Sequence, residues 1–226
     1  VIDAANKGNE VVADVAERSI TDPVARKLAE WIVLRSNNTK PTFQRYANFV
    51  QNKPDWPHVP LFRRRAENAL WNDKLDDGSV RDFLAHRQPT MAKGRYMLAH
   101  ALMAQGDRNG AAALVRHAWR YQDASNDVEK IVLEQFGSLL TREDHRLRMD
   151  QRFYDDDSEA GLRAAQRLGG NELAIAKAWT AVIKKAGNAK ALLDAVPAAA
   201  RNDAGYLYAR ALWLRKHDKL EEAAHL

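Results

Sequence analysis

Apolar and polar positions follow each other along most of this chain with the three-to-four-residue period of amphipathic helices. In PVARKLAEWIVLR, which begins at Pro23, the residues Ala25, Leu28, Ala29, Ile32 and Val33 fall on one stripe. Asp22 stands in front of it as an N-cap, and Pro23 suits a first turn whose N–H has no intrahelical partner. A second stripe, Phe43, Tyr46, Phe49 and Val50, follows Pro41. Lys53-Pro54-Asp55-Trp56-Pro57 ends that helix, because a proline lacks the donor and crowds the residue before it. The spacing predicts a third helix from Val59 to Asn72. Further helices are expected to begin near Ser79, Thr90, Arg108, Asn126, Thr141, Ser158, Asn171, Asn188, Asp203 and Asp218. Thr141 and Asp144 have the spacing of a capping box, with Asp in the usual place of Glu. No segment sustains a period of two, and the valines from Val11 to Val15 are interrupted by Ala13 and Asp14. The pattern predicts an all-α chain.

Residues 94–121 read as a helical hairpin that returns in outline 112 residues later. The shift pairs Tyr96 with Tyr208, Ala99 with Ala211, Leu102 with Leu214, Ala111 with Ala223 and Leu114 with Leu226. Small residues recur where two helices must touch, and large apolar ones where they face a shared core. Leu98, Ala99 and Leu102 take the large-small-large places of a tetratricopeptide first helix. Gly106-Asp107 makes the turn, and Ala111, Val115 and Ala118 face back from the second helix. Asp123 stands where that template closes with proline, so the unit is tetratricopeptide-like rather than a strict match. In 171–187, Ala174, Ala176, Ala178 and Ala181 point to close helix contact. Every second start from Thr90 gives Thr90, Asn126, Ser158 and Asn188, a period of roughly 30 to 36 residues, within the range of helix-pair repeats. The expected architecture is a superhelical stack of helical hairpins, a tetratricopeptide-like α-solenoid forming a single domain over 1–226.

Composition narrows the chemistry. The chain has no cysteine, which removes disulfides, thiolate metal sites and cysteine nucleophiles. No run of about 18 apolar residues is present to cross a bilayer. The formal charge is +5, which suits an anionic partner. Nucleic acid is disfavoured: bases and acids interleave along the helices, and no zinc-finger spacing or glycine-flanked aromatic motif accompanies the single run Arg63-Arg64-Arg65. The seven histidines (His58, His86, His100, His117, His145, His217 and His225) contain no H-x-x-x-H pair, and no metal or cofactor is expected. Asp155-Asp156-Asp157 reads as an acidic turn favouring the start of the helix at Ser158. No G-x-S-x-G, P-loop or G-x-G-x-x-G string occurs. Glu30, Glu67, Glu129 and Glu134 lie in amphipathic helices and are expected on solvated faces. Of the six tryptophans, Trp31, Trp71, Trp119 and Trp213 fall within or at the ends of apolar stripes and are expected in the core. Trp56, between two prolines, is freer, and a Trp ring can stack on a sugar face. Trp56, Arg63, Arg64 and Arg65 are therefore the candidate contacts for a glycan or another acidic partner, although Trp56 also suits a plug between two hairpins.

Residues 22–71 carry an ordered phrase. It runs Asp22-Pro23-Val24-Ala25-Arg26-Lys27-Leu28, Trp31, Leu34-Arg35, Phe43, Phe49 and Pro54-Asp55-Trp56-Pro57. Leu61, Arg64-Arg65-Ala66-Glu67 and Ala69-Leu70-Trp71 close it. It continues through Lys93-Gly94-Arg95, Trp119-Arg120, Leu140-Thr141, Asp144-His145 and Arg148-Met149-Asp150. Asn188-Ala189-Lys190-Ala191-Leu192-Leu193, Pro197, Tyr206 and Ala209 extend it towards the end of the chain. This resembles the N-terminal superhelical (U-type) region of soluble lytic murein transglycosylases, particularly the alphaproteobacterial form.

The resemblance implies a periplasmic enzyme that cleaves the MurNAc–GlcNAc bond of peptidoglycan without water and leaves a 1,6-anhydromuramyl end. It implies that an α-superhelix holds a C-terminal lysozyme-like domain whose glutamate, typically in a Glu-Ser motif, acts as acid and then base. No Glu-Ser dipeptide occurs here, so no catalytic residue carries over. The chain opens on Val1-Ile2-Asp3 and stops at Ala223-Ala224-His225-Leu226 within a helical pattern, so it is expected to be part of a longer protein whose catalytic domain lies elsewhere. The expected function is that of the noncatalytic scaffold orienting glycan strands. The alternative is a stand-alone tetratricopeptide-like adaptor that binds a protein or peptide in its groove.

Overall fold

Local capping sets most helix boundaries. In a computed structural model, which describes residues 1–52, 55–85 and 87–226, Asp22 accepts from the Ala25 N–H at 2.7 Å and α3 runs Pro23–Arg35. Two sequence readings fall outside the described residues: the helix stop at Pro54 and the role of His86. The elements before α3 are α1 (Ile2–Asn6) and α2 (Glu10–Arg18), so the Val11–Val15 stretch is helical. After it come α4 (Phe43–Asn52), α5 (Val59–Asn72), α6 (Asp77–Leu84), α7 (Ala92–Ala104), α8 (Arg108–Tyr121) and α9 (Asn126–Phe136). A 3-10 turn at Gly137–Leu139 precedes α10 (Arg142–Tyr154), α11 (Ser158–Leu168), α12 (Gly170–Ile183) and α13 (Ala189–Asp194). A second 3-10 turn, Ala198–Ala200, leads to α14 (Ala204–Arg215) and α15 (Leu220–Ala224). Among the described residues there is no strand, and the fold is all-α, built of packed helices in a solenoid-like manner.

Contacts divide the chain into two compact units, Val1–Leu114 and Val115–Leu226, with the boundary inside α8. The core of the first gathers Leu34, Phe43, Tyr46, Phe49, Phe62, Leu70, Val80 and Phe83 from α3 to α6. Arg45 ties its edge together by bonding Asp14 of α2 and Glu30 of α3. The core of the second surrounds Trp179, with Met149, Phe153, Ile175, Val182, Leu193 and Leu214.

Six helices end in the same way. Two residues past the C-cap (three after α14), an N–H returns to a carbonyl five residues back, and the residue before it has a positive φ. The bonds are Asn9 to Ala4, Leu75 to Leu70, Asp107 to Leu102, Asp157 to Arg152, Ala186 to Ala181 and Lys219 to Leu214. The left-handed residues are Gly8, Lys74, Gly106, Asp156, Lys185 and Asp218. Each closure leads into the next helix, and α1 packs on α2, α10 on α11, α12 on α13 and α14 on α15. The helix starts expected from Thr90 onward lie within two residues of those observed, and a 3-10 turn takes the place of such a closure between α9 and α10. Only two of the six left-handed positions are glycine, so four closures bear a side chain at a steric cost of about 1–2 kcal/mol each. Lys74→Gly removes that clash, at some cost in unfolded-state entropy, and should raise stability by about 1 kcal/mol. A urea titration checks this; an unchanged or lower midpoint would contradict it.

The predicted stripes survive unevenly. Phe43, Tyr46, Phe49 and Val50 are all buried, as are Ala111, Val115 and Ala118. On α3, Ala29 and Val33 are buried but Ala25 and Leu28 are exposed, because the buried face turns towards Leu34. The 112-residue shift aligns the closures at Gly106 and Asp218, yet Tyr96 is buried and Tyr208 is 46% exposed.

Candidate functional site

The four residues expected to touch a partner all lie in the first unit, and most are occupied by the fold itself. Trp56 is half-buried, packs against the core of that unit and meets Phe49 edge-on at 5.9 Å. That is the plug geometry. Arg63 lies over the Phe83 ring at 5.7 Å, and burial lowers its pKa. Arg65 donates to the carbonyls of Leu34 and Ser36 at 2.6 and 2.7 Å and to Asn37 Oδ1 at 2.6 Å, satisfying the C-terminal carbonyls of α3. Arg64 is exposed. Arg65 borders a polar groove of about 470 Å3, whose walls also carry Asn37, Lys40, Asn68, Asn72 and Asp73. Much of its polar capacity is already spent, since Asp73 accepts from the Phe43 N–H at 2.7 Å and Asn72 from Lys93 at 3.0 Å.

Two glutamates expected in solvent are buried instead, for opposite electrostatic reasons. Glu67 of α5 accepts from the N–H groups of Thr90 and Met91 at 2.8 and 2.7 Å, and so caps α7 from a distance. Burial still raises its pKa, with those donors acting the other way. Gly94 is required there, because a Cβ would stand 2.7 Å from Glu67 Oε2. Glu129 of α9 accepts from Arg148, Arg163 and Arg167 at 2.8, 3.0 and 3.4 Å. Burial opposes its ionisation, but Arg163 and Arg148 outweigh burial and hold its pKa down. Glu30 is half-buried on Arg45, and Glu134 is exposed as expected. Among the described residues no group of three or more His, Cys, Asp or Glu side chains is arranged to hold a metal ion.

The second unit contains an arrangement the sequence reading did not foresee. Trp179 of α12 has no exposed surface and stacks on Phe153 at 4.8 Å. Tyr154, the last residue of α10, meets the indole edge-on at 5.3 Å; Tyr208 of α14 lies tilted against it at 5.2 Å. The two tyrosine rings meet each other edge-to-face at 5.2 Å and are 47% and 46% exposed. Gly205 lets the start of α14 approach this closely, since a Cβ there would fall 2.9 Å from Trp179 Cζ3.

One and two helical turns before Tyr154 come Asp150 and Arg146. Arg146 donates to Asp150 at 3.0 Å and to both oxygens of Asp203 at 2.9 and 2.7 Å. Asp203 is itself the N-cap of α14 and accepts from the Gly205 and Tyr206 N–H groups. The second oxygen of Asp150 is buried and accepts no hydrogen bond from the described residues. Burial raises the Asp150 pKa against the pull of Arg146. The Tyr154 phenol is raised by burial and then by Asp150 and Asp203, which keeps its O–H a donor. Two exposed aromatic rings form the apolar face on which the C–H groups of a sugar can stack. Periodicity hid this, because Tyr208 reads as a core residue in register with Tyr96 and nothing local marks Tyr154.

Comparison with known proteins gave no match: no family model, curated protein or solved structure matches the chain.

Proposed function

We propose that this chain is the noncatalytic α-superhelical part of a periplasmic lytic transglycosylase, and that it orients peptidoglycan glycan strands for a lysozyme-like domain elsewhere in the protein. The observation that carries the reading is the exposed Tyr154–Tyr208 pair, an aromatic face that suits a carbohydrate. The all-α hairpin fold and the ordered resemblance from Asp22 to Ala209 support it. The net charge of +5 adds a weak, salt-screened attraction to the carboxylates of peptidoglycan stem peptides. The test is a muropeptide-release assay on sacculi with the full gene product and with this chain. The full product should release 1,6-anhydro-muropeptides and this chain none. A full product that is inert on sacculi removes the transglycosylase reading.

The adaptor reading has one observation of its own. Val11, Val12 and Val15 of α2 are 74%, 52% and 63% exposed, an apolar surface of the kind a protein partner covers. Inertness of the full product on sacculi would favour that reading.

A further inference from the structure

A separate recess lies between the C-terminal ends of α12 and α14. It encloses about 400 Å3, and Lys185, Lys190, Lys216, His217 and Trp213 line it; no Asp or Glu does. Lys185, Lys216 and His217 come from two helix closures, and Lys190 from the first turn of α13. Lys185 occupies the left-handed position after α12, with φ 54°. Lys216 reaches across to donate to the Val182 carbonyl at 3.1 Å, covering an end of α12 that would otherwise repel an anion. Lys190 pairs with Asp194 at 2.6 Å, and Asp194 is also held by Arg210 at 2.9 Å, so the only carboxylate nearby in these bonds is shared by two cations.

The imidazole of His217 stacks on Trp213 at 4.2 Å. Its Nδ1 lies 2.8 Å from the Trp213 carbonyl oxygen, which can only accept, so Nδ1 is the donor and the bond fixes the ring against the indole. The remaining walls are Val182, Ala186 and Ala189. Basic groups on one side and small apolar ones with an indole on the other select an anion attached to a small apolar group, not a bare inorganic ion.

We infer that this recess binds the C-terminal carboxylate of a short peptide ending in a small apolar residue. Lys185 faces the carboxylate, and Trp213 with Ala186 covers the terminal side chain. The choice of a peptide among such anions rests on the peptidoglycan reading, whose stem peptides carry carboxylates. The test is an NMR titration of the 226-residue chain with N-acetyl-D-alanyl-D-alanine, its C-terminal amide and inorganic phosphate. The peptide acid should give saturable shifts at the Trp213 indole N–H and the Ala186 amide, and the amide should give none. Lys185→Gly suits the left-handed closure better, so it should keep or raise the melting temperature while weakening peptide binding about threefold, the worth of one half-exposed charge pair. Equal response to acid and amide, no saturable response, or phosphate binding as tightly as the peptide acid would each overturn the inference. If the peptide gives no response while the chain still sediments with sacculi, the recess assignment fails and the glycan reading stands. A chain that binds the peptide but not sacculi supports the recess and counts against that reading.

Discussion

Glu129→Ala is expected to cost the second unit about 3–5 kcal/mol, the penalty for removing one partner of a fully buried ion pair. Glu129 and Arg148 both have no exposed side-chain surface, and Arg148 cannot move to water without dismantling α10. Its remaining partners are the carbonyls of Trp119 and Gln122, at 2.6 and 3.2 Å, which do not neutralise it. Arg163 and Arg167 lose the same carboxylate, so three guanidinium groups are left facing one another. Chemical denaturation followed by tryptophan fluorescence measures the loss. The double variant Glu129→Leu/Arg148→Met removes both charges and should lose clearly less than the single one; a larger loss would mean that packing, and not the stranded charge, dominates.

The same pair predicts a pH limb. Glu129 has a lower pKa folded than its ordinary value of 4.5. The folded state therefore binds this proton less readily than the unfolded state does. The contribution is complete above the unfolded value and disappears as the pH falls through the depressed folded one. Asp144 acts in the same direction, because Thr141 and Arg120 overcome burial to hold it down. Glu67, raised by burial, works oppositely: its protonation favours the folded state as the pH falls. Asp150 of the second unit, also raised by burial, has the sign of Glu67, so the test is a single carboxylate: Glu129→Ala should flatten the acid limb of the second unit.

Trp179→Ala is the second large effect, about 3–5 kcal/mol for truncating a fully buried indole. The cavity would open between Phe153 and Gly205 and could not readily close, because α10, α12 and α14 each contribute a wall. Tyr154 and Tyr208 would lose the ring that backs them both, so glycan affinity should fall together with stability. Trp179→Phe keeps much of the volume and should recover part of both quantities. A denaturant midpoint in Trp179→Ala within about 1 kcal/mol of the parent would show that the indole does not anchor this core, since cavity costs for aromatic residues exceed that.

What could be read from the sequence was what is local. Asp22 before Pro23 and the Thr141–Asp144 box are bonds between residues three apart, and both form as their spacing implies. The Phe43, Tyr46, Phe49 and Val50 stripe lies on one face because period alone determines it. The chain reversals were harder to see. Lys74, Asp156, Lys185 and Asp218 take the left-handed position that glycine usually marks, so no glycine announces those turns. The buried glutamates leave no local mark because their partners are distant: Thr90 is 23 residues from Glu67, and Arg148, Arg163 and Arg167 are 19, 34 and 38 from Glu129. A charged residue on a helix reads as solvated unless a neighbour three or four residues away says otherwise. Arg65 has the same history, being a carbonyl cap for α3 across about thirty residues and not a free cation. Tyr208 failed differently. Its helix repeats the closure of α7 but presents a different flank to the core, so equal spacing did not mean equal burial.

Sedimentation with purified sacculi at low ionic strength tests the central claim most directly, comparing the parent chain with Tyr154→Ala/Tyr208→Ala. Both rings are about half exposed, so their removal should leave the fold intact by circular dichroism. The account predicts that the parent chain pellets with sacculi, is released by added salt only in part, and loses most of its retention when the two rings are removed. A parent chain that stays in the supernatant, or a double variant retained as well as the parent, would contradict it.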